Sequence, residues 1–215
     1  SKEGDKLWFY NLHYFDDLNA FGASSRSSWH INLICDWIDK NPPGFGVGWE
    51  PYPTSLRIVN WIKWAMIGNQ LQDKAYHSLA VQTRFLLRRL EYHLLGNHLL
   101  ANAKALIFSG LFFDGKEADL WLHKGFSIYR SEIREQILAD GGHFELSTMY
   151  HSIIFEDVLD ICNMISCFKH RLEDNGLDNK IPFQEIAEKM RCWLQAMCHP
   201  DGDISFFNDA AFDIA

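Results

Sequence analysis

No stretch of this chain stays apolar for the length a membrane-spanning helix needs, and no charged, then apolar, then small-residue leader opens it. A leader removed before Ser1 would leave the same sequence, so the compartment stays open. Cysteine is scarce: Cys35, Cys162, Cys167, Cys192 and Cys198 make an odd set of five without the spacing of a zinc site. Packed as small apolar groups, they lean toward a reducing, cytoplasmic setting. An excess of positive charge is missing as well, since 20 lysines and arginines face 28 acids for a formal net charge of −8. A general nucleic-acid binder would carry a basic stripe, so no such partner is expected. The same balance argues against a heavily sulfated polyanion, while a local basic or amide-lined cleft for one carboxylate stays possible. Period-2 alternation, the mark of half-buried strands, is almost absent.

What is present is helical periodicity. Apolar spacing predicts helices near residues 7–21, 28–40, 54–69, 73–95, 98–113, 116–138, 148–172 and 183–198. Punctuation separates them, as at Asn41-Pro42-Pro43-Gly44, Gly68-Asn69, Asp114-Gly115, Gly141-Gly142 and Asp174-Asn175-Gly176. Eight helices on short turns imply antiparallel hairpins, and their large apolar faces suit a helical ring better than a small bundle. The 215 residues can bury a core as one domain. A helical domain is expected over 1–200 and an extended segment over 201–215, in a chain that starts and stops like a piece of something longer.

Three polar stretches interrupt the apolar patterns. In EYHLLGNHLLANAKAL, residues 91–106, Gly96 frees the backbone to turn, and Asn97 and His98 offer hydrogen-bond donors to an anion at a helix N-terminus. Taken alone, Asn97 reads first as a helix cap, as Asn often is. In FGVGWEPYPTSLR, residues 45–57, Trp49 and Tyr52 can stack on a sugar face or pin the loop to the domain. Arg57, placed near the start of the next helix, can grip a carboxylate in bidentate fashion. In the stretch from Gln136 to His151, two glycines precede His143, Glu145, Ser147, Tyr150 and His151. Ser147 or Thr148 can cap the following helix, whose first turn then bears Tyr150 and His151. A phenol beside cations or donors has its pKa lowered toward the working range and can shuttle a proton; the same ring can simply pack. The histidines and Glu145 lack the spacing of a metal site, so no metal is expected. The charge runs Arg84, Arg88, Arg89, Glu91 and Glu132, Arg134, Glu135 read as solvated faces.

Taken in order, NLHYFDDL, GWEPYPTSLRIVNWI, EYHLLGNHLLANAKALIFSGLFF, EIREQILADGGHFELSTMYHSIIFEDVLD and PDGDISFFNDAAF resemble the N-terminal domain of the heparinase II/III-like polysaccharide lyases over nearly the whole chain. The resemblance implies an all-α, incomplete (α/α) toroid, with a C-terminal β-sandwich domain of the same polypeptide expected beyond this chain. It implies β-elimination on an acidic, uronate-containing polysaccharide without a cofactor, and a periplasmic setting. By the same resemblance Asn97 is the residue that neutralises the uronate carboxylate and Tyr150 is the acid or base. His98, Glu145 and His151 flank those motifs as substrate contacts, and the family draws a catalytic histidine from its β domain. Two other classes stay open: a glycoside hydrolase on the same toroid, which needs two facing carboxylates, and a helical carbohydrate-binding module that does not cut.

Overall fold

A computed structural model describes residues 6–94, 96–177 and 182–211. The α-helices among them are α1 (Lys6–Asn11), α2 (Ser27–Lys40), α3 (Pro51–Met66), α4 (Asp73–Leu87), α5 (Asn97–Phe112), α6 (Lys116–Gln136), α7 (Thr148–Cys167), α8 (Lys169–Asp174) and α9 (Phe183–Met197). Short 3-10 turns at Asp16–Asn19, Ala23–Arg26 and Val47–Trp49 join the first of them. No strand forms among the described residues; the extended contacts are isolated bridges between Ile137 and His143 and between Cys198 and Ile204.

Helix α5 is the axle of the fold. Every residue from Leu99 through Leu111 is buried, because the helix is apolar on all sides and is walled by α3, α4, α6 and α7. Its closest neighbour is α6, and the approach is set by glycine on both partners. A Cβ on Gly110 would meet Leu122 at 2.6 Å, and one on Gly125 would meet the Ala103 carbonyl at 2.9 Å. The aromatic part of the core lies to one side, where Trp61 and Trp37 pack edge to face with Phe15 at 5.3 and 6.3 Å.

Three expected helices stop early, and after the first two of them side chains take backbone groups that would have continued the spiral. The first expected helix ends at Asn11, and Phe15 adopts φ 66°. Beyond that break Arg57 and Asn60 donate to the carbonyls of His13 and Tyr14 at 3.3 and 2.9 Å. Helix α4 ends at Leu87, and the Glu91 N–H is then taken by Asn102 Oδ1 at 2.9 Å. Helix α7 ends at Cys167, which swings Arg171 of α8 onto the Gly110 and Phe113 carbonyls at the C-terminus of α5. The expected end of the fourth helix at Leu95 lies outside the described residues, as do residues 212–215 of the expected extended segment.

The ion pairs reveal a parallel arrangement that antiparallel neighbours alone do not announce. Tyr52 at the start of α3 meets Asn97 at the start of α5, while farther along Lys63 of α3 and Lys104 of α5 both reach Asp160 of α7. Helices α3, α5 and α7 therefore run the same way, with their N-termini at one rim. The intervening α4 and α6 return the chain between them.

Candidate active site

A cleft of about 1330 Å³ is lined by these parallel helices. Each helix contributes a stripe at helical spacing: Tyr52, Leu56, Asn60 and Lys63 from α3, Asn97, Ala101 and Lys104 from α5, and Tyr150, Ile153 and Asp157 from α7. Three helix N-termini pointing at one rim place three partial positive ends there, so a carboxylate is favoured despite the acidic balance of the chain.

The rim is built from two turns that touch. Gly96 holds φ 87° and ψ −150°, a conformation glycine adopts without strain, and a Cβ there would collide with Glu145 Oε1 from the second turn. The N-cap position of α5 falls on Gly96, which has no side chain to cap with, so Asn97 is released from capping. Its Nδ2 donates instead to Tyr52 Oη at 3.1 Å. The remaining amide N–H and the phenol hydrogen are left for a ligand. His98 lies against the Tyr52 ring, centroids 4.4 Å apart, and its Nδ1 is 3.1 Å from Glu91 Oε1. A carboxylate only accepts, so Nδ1 carries the hydrogen of this contact, and His98 itself lines the cleft. Glu91 is fixed from behind by Asn102 Nδ2 at 3.0 Å, and the same amide reaches Ser55 Oγ at 3.1 Å.

On the other turn Ser147 caps α7 by accepting from the Tyr150 N–H at 3.4 Å, which sets Tyr150 in the first helical turn and in the cleft. Burial raises the Tyr150 phenol above its ordinary value, and the carboxylates of Glu145 and Asp209 raise it further. This corrects the expected lowering: the neighbours are acids, not cations, and the phenol is held protonated. Tyr150 also helps raise Tyr52, whose own shift comes first from burial, so the two phenols share one electrostatic neighbourhood.

The structure thus brings Asn97, His98, Tyr52 and Tyr150 to the cleft, with Glu145 half-buried in the wall between the two turns. Three other expected contacts are corrected. Arg57 is wholly buried because α3 starts at Pro51, which carries Arg57 deeper and one step round from the Tyr52 to Asn60 stripe. It donates to Gln82 Oε1 at 2.9 Å and stacks 3.8 Å over Trp37. Trp49 takes the loop-pinning role, wedged against Trp37 and Phe85 with its Nε1 on the Asn41 carbonyl. His151 points inward to α9, with Nε2 on the Met190 carbonyl at 3.0 Å and its ring on Trp193 at 4.4 Å.

Sequence reasoning missed Glu91, set aside as part of a solvated charge run, and the ion pairs down the cleft. Lys104 lies 2.6 Å from Asp157 and 2.5 Å from Asp160, and Lys63 lies 2.7 Å from Asp160. Nearer the mouth, Lys6 pairs with Glu50 at 3.0 Å, and Tyr10 donates to the same carboxylate. The signal was in α5, where Asn102 and Lys104 interrupt an otherwise apolar run and so demand partners. Among the described residues no three His, Cys, Asp or Glu side chains converge as a metal site.

Comparison with known proteins supplies the context. Residues 23–214 match the family model for the heparinase II/III N-terminus. A heparin-sulfate lyase of Pedobacter heparinus is 30% identical over 207 residues, covering 89% of this chain and 30% of its own length. One of Bacteroides thetaiotaomicron is 28% identical over 212 residues, covering 85% of this chain and 28% of its own. The crystal structure of a heparinase III superposes with a TM-score of 0.65 at 24% identity, over 87% of this chain and 30% of that one. That likeness shows the fold, the all-α incomplete toroid. The chain spans less than a third of the length of the curated relatives it matches.

Proposed function

Because the chain belongs to the heparinase II/III family through its N-terminal domain, we propose that it forms the helical wall of a polysaccharide lyase site acting on a uronate-containing polymer by β-elimination. The observation that carries this reading is the meeting of the two turns: Glu145 against Gly96, Asn97 on Tyr52, and Tyr150 in the same cleft.

The chemistry asks for three things. A proton on the carbon next to a carboxylate is hardly acidic while that group keeps its full charge, because the enolate-like intermediate adds another. Hydrogen bonds from Asn97 and Tyr52 at the N-terminus of α5 favour that charge where it develops. A base must take the proton, and His98, which lines the cleft beside Asn97 with its Nδ1 on Glu91, is the side chain proposed for this. The family resemblance adds a further histidine from a C-terminal domain. An acid must protonate the departing glycosidic oxygen, and Tyr150 is kept protonated by burial and its carboxylate neighbours. The lysines in the cleft are already matched by carboxylates, whereas Arg89 on the same lining lies over the Phe85 ring.

The test uses the full-length polypeptide on a panel of uronate polymers. Elimination leaves a conjugated unsaturated uronate that absorbs ultraviolet light. Hydrolysis gives new reducing ends without that chromophore, and a binding module gives neither. Tyr150→Phe is expected to lower kcat by about 10²–10⁴-fold with glycan binding retained. A fully active Tyr150→Phe protein removes the proton-transfer role.

A further inference from the structure

A buried chain of hydrogen bonds joins the two turns of the cleft from behind. It starts at the Gly96 carbonyl, one peptide before Asn97, which accepts from Gln136 Nε2 at 2.9 Å. The second hydrogen of that amide goes to Glu132 Oε2, also at 2.9 Å. Gln136 Oε1 is therefore the acceptor facing His143, whose Nε2 lies 3.1 Å away and must carry the hydrogen. The His143 backbone N–H then donates to His151 Nδ1 at 3.3 Å, so the hydrogen of His151 sits on Nε2 and goes to the Met190 carbonyl. His151 is the residue after Tyr150. Gln136, His143 and His151 are all buried, and one amide orientation and one tautomer at each imidazole satisfy these contacts, the lone pair on His143 Nδ1 being left without a partner.

We propose that Gln136 and His143 are positioning residues that set the spacing between the Asn97 amide and the Tyr150 phenol. Both ends of the chain lie one peptide bond from a residue assigned to the reaction, and its middle is anchored on the last residue of α6. Residues 137–143 are closed by the Leu138 N–H on the Gly142 carbonyl and the Phe144 N–H on the Gln136 carbonyl, at 2.9 and 2.8 Å. The inference rests on the lyase reading above, and it adds residues that touch no substrate.

The experiment compares His143→Phe, Gln136→Met and His143→Gln in the full-length polypeptide, on whichever uronate polymer yields the ultraviolet-absorbing product. Phenylalanine and methionine keep the volume and remove the hydrogen bond, whereas glutamine sets its Nε2 close to where the imidazole Nε2 stood. Misplacing a reacting group by about 1 Å costs about 100-fold, so kcat is expected to fall by that order in the first two variants with KM near wild type. His143→Gln is expected to recover most of the loss. Wild-type kcat in Gln136→Met, or a His143→Gln protein no better than His143→Phe, overturns the inference while leaving the lyase reading in place. A fully active Tyr150→Phe protein, or no ultraviolet-absorbing product from any polymer, overturns both. If His143→Phe fails to fold, Gln136→Met carries the kinetic test. Nitrogen-15 spectra of the imidazole rings then check the tautomers directly: neutral rings protonated on Nε2 agree with the chain, and a hydrogen on His143 Nδ1 overturns it.

Discussion

One face of α5 meets the cleft at two depths, and the chain treats polar groups there in opposite ways. At the rim, Asn97 and His98 keep hydrogen-bonding capacity toward the open space, with Tyr52 and Glu91 steadying them from the side. Two turns farther in, Lys104 has its charge consumed by Asp157 and Asp160, and Asp160 is shared with Lys63. Burial alone would lower the Lys104 ammonium, yet the two aspartates outweigh it and hold the group charged. Burial raises Asp157, whereas Lys104 and Lys63 pull Asp160 down against the same burial. Open valence marks the end proposed to react, and saturated charge ties α3, α5 and α7 together.

Removing one member of each set should therefore break different properties. Lys104→Met strands the buried Asp157 carboxylate and leaves Asp160 with Lys63 alone, and breaking a buried pair in this way costs about 3–5 kcal/mol. Denaturant midpoints are expected to fall accordingly, with turnover per folded molecule close to wild type. A midpoint that stays put would show that the pair is not holding the helices together. Asn97→Ala is expected to do the reverse, lowering kcat by about 10²–10³-fold with little change in midpoint. If instead the midpoint alone moves, Asn97 returns to a structural role and the contrast between the two depths collapses.

The same contrast explains what could be read from the chain. Helix α5 was legible because apolar residues surround it, and the turn at Gly96 was legible because glycine followed by Asn and His is chemically unlike its neighbours. Ser147 announced the start of α7 by ordinary capping chemistry. Arg57 and Trp49 misled, since their types suit sugar and carboxylate contacts equally well as core stacking. The decision lay in a three-residue shift of the α3 start and in His13, Trp37 and Gln82, remote in sequence. Glu91 was hidden because a charge run on an expected helix gives no sign that the helix has already ended at Leu87. Asn102, alone among apolar neighbours, was the residue that could have pointed to it.

The smallest effect concerns the back of the site, where the contrast between open and saturated groups can be titrated. Burial lowers His143 to about 4, with neighbouring His151 adding in the same direction. His151 is lowered too, first by burial, while its bond to the Met190 carbonyl and the charge of Asp140 oppose this in part. An unfolded histidine titrates near about 6.5. Above that value both states are neutral and the full stability is present. As the pH falls below it the unfolded chain takes up protons first, so stability is lost until the folded His143 itself titrates at about 4. Glu145 and Asp16 are raised by burial and contribute with the opposite sign, so the wild-type curve alone is a sum. His143→Gln removes one titrating group and keeps the hydrogen bond, which isolates the term. Between pH 7 and 4.5 the melting temperature of the wild type should fall more steeply than that of the variant, each kcal/mol of difference appearing as about 2–4 °C for a chain of this size. Parallel curves would mean that His143 titrates alike in both states, which a buried imidazole held by Gln136 forbids.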